Sequence, residues 1–336
     1  GNSYQMNRYA GEYNPKYEVN RGDVLISWSA SLGVYVWQGE KALLNQHIFK
    51  VIFDKCDVDK SFYVHQVAAI LEKAASQAHG ATMKHLTKPV FDALPFYLPD
   101  LPTQQRIADT LDKVSEGIGL CRKMLGELDL MVKAKFGEMF GDPVSNEREW
   151  NVETLNDVCT EIGDGLHGTP EYDDNGEYPF INGNNLINGA IEITPATKKV
   201  NAEIYKKHYI DISANALLLS INGTLGKLAF YNGEKVMLGK SACYCNFKPE
   251  INRAFVYGVM KTEAFAGFLE KSATASTIKN VGLKAIRGYK LIMPPQALQM
   301  QFIEFSNQVD KSKLAVKQSL EKLETLKKSL MQEYLG

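Results

Sequence analysis

The sequence predicts an α+β protein: two globular domains, the first incomplete, separated by two long helices packed as an antiparallel coiled coil. Apolar residues recur every seven positions through residues 101–150, at Leu111, Ile118, Leu125, Val132 and Met139, with a second row at Val114, Cys121 and Leu128. The same spacing returns near the carboxyl end at Phe302, Val309, Val316, Leu323 and Leu330. The segments before each row read as short strands followed by a helix, without regular βαβ alternation.

Residues 1–100 form the first, partial domain. Strands are expected at DVLISW (residues 23–28), GVYVW (33–37) and IFKVIF (48–53), each bounded by Asn, Gly or Asp, with a helix over 62–77. Residues 101–143 form the first spacer helix. Pro102 is expected to precede the run, where a proline is tolerated because the first turn has unpaired donors anyway, and Gly141 with Pro143 closes it. Roughly forty helical residues span about 60 Å, and an apolar seam of this kind buries itself only against another helix. Residues 144–295 form the second domain, with strands at 179–182, 216–221, 227–231 and 243–247 and a helix over 254–271. Residues 296–336 form the second spacer helix.

The two halves also match in sequence. NRGDVLISWSASLG (20–33) answers SANALLLSINGTLG (213–226). ATMKHL (81–86) answers STIKNV (276–281), and PFYLPDLPTQQRI answers GYKLIMPPQALQMQF, both at an offset of 195. The chain is therefore a direct repeat of a globular domain followed by a long helix. Two such helices pack most economically on each other, antiparallel, with a domain at each end. The repeat is incomplete at its start: Gly1 aligns near Thr194, so the first domain lacks the counterpart of residues 145–193. Truncation is the favoured expectation, and supply of the missing segment by another chain is the alternative.

Composition bounds the class. With 336 residues, 45% apolar and 23% charged, the chain has material for about two packed domains. It has neither a run of eighteen apolar residues nor the basic and apolar start of a secretory signal, so a cytoplasmic location without membrane contact is expected. Five scattered cysteines, Cys56, Cys121, Cys159, Cys243 and Cys245, fit reduced thiols, with the last two filling core. A net charge of −1 decides nothing about nucleic acid, because local charge makes a phosphate-binding surface.

A search for catalytic constellations finds none. The six histidines have no HExxH or paired-cysteine spacing. Gly223, Gly226 and Lys227 only superficially match a phosphate loop and read better as a tight turn between strands. Met293-Pro-Pro-Gln296 lacks the polar and aromatic residues that an amino-methyltransferase box needs for a flipped base. No metal and no cofactor of its own is expected.

Charge and turn composition point elsewhere. Residues 271–290 hold Lys271, Lys279, Lys284, Arg287 and Lys290 and no acid, and their counterpart, residues 73–89, holds Lys73, Lys84, Lys88, His79 and His85, again without an acid. A basic run is often a solvated face, but this one recurs at the same repeat position among Ser, Thr and Asn, which contact phosphates and base edges. Residues 164–172, DGLHGTPEY, are dense in turn formers and carry His167. They read as a turn, with a DNA-facing loop as the alternative.

These pieces in order are LPDLPTQQRIADTLDKV, a helix ending KFGEMFGDPVSNEREW, GDGLHGTPEY, YPFINGNNL, LLLSINGTLGK and MPPQALQMQFIEFSNQV. Over essentially its whole length the chain resembles the DNA specificity subunits of type I restriction-modification enzymes. The resemblance implies that each globular unit is a target recognition domain reading half of a bipartite sequence in double-stranded DNA, and that the paired helices fix the gap. It implies no catalysis in this chain. Two modification subunits, which use S-adenosylmethionine to methylate adenine, and restriction subunits would be its partners. Candidate DNA contacts are Asp164, His167, Asn222, Thr224, Lys279, Asn280, Lys284 and Arg287 in the second unit, and Ser29, Ser31, Lys84, His85 and Lys88 in the first. Arg122, Lys123, Lys133, Lys317 and Lys322 beside the seam are expected to dock the modification subunits. The rival reading is a coiled-coil adaptor with two binding heads and no DNA contact; an independent methyltransferase or nuclease would need a cofactor loop or metal carboxylates.

Overall fold

A computed structural model of the chain describes residues 9–28, 32–77 and 88–336, with the side chains of residues 75–77, 88 and 90 outside that description. The chain divides into two compact units, residues 1–125 with 314–336, and residues 126–313. Strand and helix are mixed in each, as an α+β chain requires.

In the first unit an antiparallel sheet runs in the order Gly33–Val36, Val24–Ser27, Ile48–Lys50. Val24, Leu25 and Ile26 on the central strand are all buried, as expected for a strand paired on both sides. Helix Lys60–Gln77 lays Val67 and Leu71 against Ile26, while its first turn presents Phe62 to Ile107, Ala108 and Leu111 of the first long helix. Asp59 starts that helix by accepting the Phe62 amide at 2.9 Å.

The second unit repeats and enlarges this plan. Its main sheet runs Leu228–Phe230, Ala216–Ser220, Ala242–Phe247, Cys159–Asp164, all antiparallel. The first three strands are the structural counterparts of the sheet in the first unit; the fourth has no counterpart among the described residues of that unit. Cys159, Cys243 and Cys245 are buried in this sheet, and all five cysteines are free thiols. A further sheet of Lys199–Val200, Tyr178–Ile181 and Met237–Leu238 packs over its other face, and Lys290–Met293 pairs with Asn151–Thr154.

Each long helix has forty residues, Leu101–Phe140 and Gln296–Leu335, and the two start 195 positions apart. Both begin with the same device. Gln104 donates its side-chain amide to the Pro99 carbonyl at 2.7 Å, and Gln299 does so to Pro294 at 2.8 Å. Within each unit the helical segments run antiparallel. In the first, Gly117 leaves room for Leu323, and Arg122 meets Glu324 at 2.8 Å. In the second, Lys313 reaches Asp129 at 2.7 Å, and the rings of Phe136 and Phe140 lie 5.4 and 5.6 Å from Phe302. Among the seam residues, Leu111, Val114, Ile118, Phe302 and Val309 are buried near the globular parts, while Leu125, Leu128, Val316 and Leu323 are half-buried where only a helix covers them.

The first helix stops at Phe140, where Gly141 turns to a φ of +74°, in line with the closure expected at Gly141 and Pro143. Two expectations need correction. Pro102 lies inside the first turn, which Asp100 caps through the Thr103 amide at 2.9 Å. The helix expected over 254–271 is two helices, Arg253–Met260 and Glu263–Ser272, because Thr262 turns its hydroxyl to the Phe265 amide and starts a new helix.

Candidate nucleic-acid interface

Antiparallel pairing brings three chain segments to one end of the main sheet in the second unit. Strand Ala216–Ser220 ends beside the start of Ala242–Phe247, since Ser220 faces Ala242, and strand Cys159–Asp164 ends there too, since Asp164 faces Cys243. The turn after Ser220 is built by that residue. Its hydroxyl donates to the Thr224 carbonyl at 2.6 Å and accepts the Lys227 amide at 2.8 Å, while Gly223 and Gly226 take φ values of +75° and +79°. Such values suit glycine because it has no Cβ to clash. Asn222 and exposed Thr224 are thereby held out on a tight turn, as expected from the sequence.

The basic loop joins this turn through the backbone. Gly223 donates to the Lys279 carbonyl and Val281 to the Ile221 carbonyl, both at 2.9 Å, and Asn222 and Asn280 form an isolated antiparallel bridge. The Asn222 side-chain amide donates to Asn280 Oδ1 at 3.3 Å. Two sequence-distant candidate loops are thus one surface. Lys279 is exposed and ion-paired with Glu270, an acid just outside the acid-free run.

The Gly-rich turn reaches the same place from the neighbouring strand. Leu166 donates to the Leu238 carbonyl at 2.8 Å and accepts from the Lys240 amide at 3.0 Å. Gly165 lies so close that a Cβ there would sit 2.1 Å from the Leu238 carbonyl oxygen. The His167 ring nitrogen Nε2 lies 2.7 Å from Asp164 Oδ2, with the ring 71% exposed and the carboxylate 18% exposed. Asp164 holds the imidazole outward.

Other candidates sit differently. Lys284 is exposed on the short helix Leu283–Arg287, but Arg287 donates to the Ile162 carbonyl at 2.6 Å and so ties that helix to the sheet. In the first unit, Ser29, Ser31, Lys84 and His85 lie outside the described residues, and Lys88 opens helix Lys88–Asp92 with its side chain also outside them. Of the helix cations, Arg122 pairs with Glu324 and Lys133 lies 3.7 Å from Glu263, while Lys317 and Lys322 are exposed.

The sequence reading missed several residues that the fold brings to this end. Ser241 accepts from two neighbours: its Oγ accepts the Gly183 amide and its carbonyl accepts the Ile221 amide, both at 3.0 Å. Lys240 beside it is exposed, as is Asn184. In the first unit His47 holds the equivalent end, its carbonyl accepting the Trp28 amide at 3.3 Å and its ring 5.4 Å from the Trp28 ring. Gln46 and His47 immediately precede Ile48–Lys50, as Lys240 and Ser241 precede Ala242–Phe247, and that shared place ahead of a strand was the available signal.

Cationic Lys227, Lys240 and Lys279, exposed His167, and the amides of Asn222 and Asn280 make a surface suited to phosphate oxygens and base edges, where amide side chains pair bidentately with adenine. Among the described residues no group of three His, Cys, Asp or Glu is placed to hold a metal ion, and no helix is long and apolar enough to cross a membrane.

Two repeats built on one plan, each joined to a long helix, define the class, and comparison places the chain in it. The chain belongs to the type I restriction modification DNA specificity domain family, whose profile matches residues 2–129 and 147–326. It is similar to the specificity subunit of the Escherichia coli type I restriction enzyme EcoBI, with 19% identity over 358 aligned positions, 96% of this chain and 75% of that one. The MjaVIII specificity subunit of Methanocaldococcus jannaschii matches at 26% over 126 residues, 38% of this chain and 29% of that protein. In fold it is similar to the S subunit of a type I restriction-modification system from M. genitalium, at a TM-score of 0.54 and 15% identity, covering 94% of this chain and 83% of that one. A chain from a structure of type I system assembly and conformational transition gives 0.56 and 15%, covering 95% and 82%.

Proposed function

We propose that this chain is the DNA-reading subunit of a type I restriction-modification complex, and that each of its two units reads one half of a bipartite target in double-stranded DNA. The paired forty-residue helices set the gap between half-sites, and their exposed cations and apolar residues receive the modification subunits, with restriction subunits joining the full complex. Methylation and cleavage belong to those partners, and this chain contributes none of the chemistry.

The observation that carries the reading is the single polar surface that Asn222, Thr224, Lys279 and Asn280 form with the turn at residues 164–167. These loops come from three separate parts of the sequence, yet backbone hydrogen bonds lock them together, which is the preorganisation that base reading needs. Phosphate contacts then position the protein, and the amides specify the sequence.

The test is co-purification with the modification subunits followed by mapping of methylated adenines. A bipartite pattern with a constant gap is expected, and a complex that methylates at a single undivided site would remove the two-headed assignment. A mobility shift on duplex DNA that fails to weaken between low and moderate salt would favour the adaptor reading over phosphate-driven binding.

A further inference from the structure

A cleft of about 220 Å³ lies in the second unit, and no residue assigned above to DNA contact lines it. Its walls come from three places in the chain. Tyr172 follows the Gly-rich turn, Phe180 and Asn182 lie on and just beyond strand Tyr178–Ile181, and Thr197 and Lys198 immediately precede strand Lys199–Val200. Backbone hydrogen bonds hold these walls together. The Phe180 amide donates to the Lys198 carbonyl at 2.8 Å, and the Asp173 amide, next to Tyr172, donates to the Lys199 carbonyl at 2.9 Å.

The lining combines aromatic faces with hydrogen-bonding edges. The Tyr172 and Phe180 rings meet at 61° with centroids 5.8 Å apart, and Tyr172 remains 39% exposed. Asn182 accepts the Asn184 amide through Oδ1 at 2.9 Å, while its Nδ2 donor has no partner among the described residues. Lys198 Nζ stands 6.0 Å from the centre of the Tyr172 ring. Its ion pair with Asp174 is long, at 4.0 Å, and both side chains are exposed, so an arriving phosphate can displace it at little cost.

The cleft adjoins the candidate interface. The Phe180 ring lies over Gly239, where a Cβ would meet it at 2.7 Å, and the Gly239 amide donates to the Ile181 carbonyl at 2.8 Å. On the other side of Asn182, the Gly183 amide donates to Ser241 Oγ. Exposed Lys240 stands between those two anchor points, so one short segment borders both the cleft and the polar surface.

We propose that this cleft is a base pocket, which takes one nucleobase everted from the DNA duplex that the second unit reads. This rests on the DNA-reading function proposed above. Any base presents a face to stack on an aromatic ring, Asn182 Nδ2 donates to a carbonyl or ring nitrogen on its edge, and Lys198 meets the adjoining phosphate. The volume falls below the roughly 300–1,000 Å³ of pockets that enclose drug-sized ligands, which suits a single ring system. Eversion costs unpairing and unstacking, least at a weak or mismatched pair, so the pocket senses how readily a step opens and adds specificity that contacts in the groove do not supply.

The experiment uses the 336-residue chain alone, so that no methyltransferase is present to evert a base, on duplexes of the mapped target. Each duplex carries 2-aminopurine, which brightens on leaving the base stack, or a mismatch at one position. At one position the fluorescence should rise on binding, and a mismatch there should tighten binding about tenfold. Tyr172→Ala alters a ring already in contact with solvent, so it should keep the thermal midpoint and abolish both effects, whereas Tyr172→Phe should retain them. Selective binding with neither effect at any position overturns the proposal and leaves the DNA-reading function standing, as do effects that survive Tyr172→Ala. Failure to select any duplex overturns both. Amide shifts at Asn182 and Lys198 on adding free thymidine monophosphate, without either effect in a duplex, would make the cleft a site for free nucleotides and overturn eversion.

Discussion

At the scale of single residues, the candidate interface combines side chains that bind with side chains that build. Ser220 and Gly165 are builders. A Cβ at Gly165 would meet the Leu238 backbone at 2.1 Å, a contact that only movement of the neighbouring strand relieves. Gly165→Ala is therefore expected to destabilise the second unit by about 2–4 kcal/mol, read as a lower urea midpoint with an unchanged slope. Lys279 is a binder. Its substitution by Ala should leave stability within about 0.5 kcal/mol, because its one ion pair, with Glu270, is exposed. The slope of log K against log salt should fall by about 1, measured by fluorescence anisotropy on duplex DNA. Asn222→Ala should instead relax base preference in one half-site and leave the salt slope alone, as expected for a residue that reads bases. Of these residues Asn222, Thr224, Lys279 and Asn280 were legible in the sequence from turn chemistry and charge. Lys240 and Ser241 were not, because nothing local to them signals that antiparallel pairing carries them to the same end. Arg287 was legible only as a cation; its hydrogen bond to the Ile162 carbonyl is a fact of packing.

At the scale of elements, the long helices are set by their caps and seams. Asp100 is held below the usual carboxylate range by hydrogen bonds from the side chain and backbone of Thr103. A folded-state value below the unfolded one contributes stability that is present above the unfolded value, near pH 4, and lost as pH falls through the folded value. Thermal unfolding of Asp100→Ala should thus lie below that of the parent at neutral pH and converge with it under acid. Equal separation at pH 7 and pH 3 would show that the carboxylate does not act through its charge. The seven-residue rows made both helices visible, since a 3.5-residue period has few other uses. The carboxyl end of the first was also legible in Gly141 and Pro143, but its start was less so, because the capping carboxylate stands before the apolar rows begin; in the second unit, the break at Lys261 and Thr262 comes from one hydroxyl choosing a cap over a helix interior.

At the scale of the whole molecule, the proposed ruler makes a geometric prediction. Deleting residues 119–125 together with residues 316–322 removes one heptad from each helix and preserves the seam. The rise lost is about 10 Å, the length of about three base pairs. The methylation pattern should keep both half-site sequences and show a shorter gap; altered half-sites with an unchanged gap would assign the spacing to something other than the helices.

The sequence by itself determined the repeat, the forty-residue helices and the kinds of side chain available to meet DNA, because periodicity, turn chemistry and charge are local properties. Only the tertiary structure decided which of those side chains share a surface. Hydrogen bonds between strands pair residues about sixty to eighty positions apart, as Asn222 with Asn280 and Asp164 with Cys243. It also decided that, among the described residues, Ile48–Lys50 is the outer strand of its sheet in the first unit. A sheet edge exists only once strands are placed side by side, so no reading of the linear chain reveals which backbone groups are left without a neighbour.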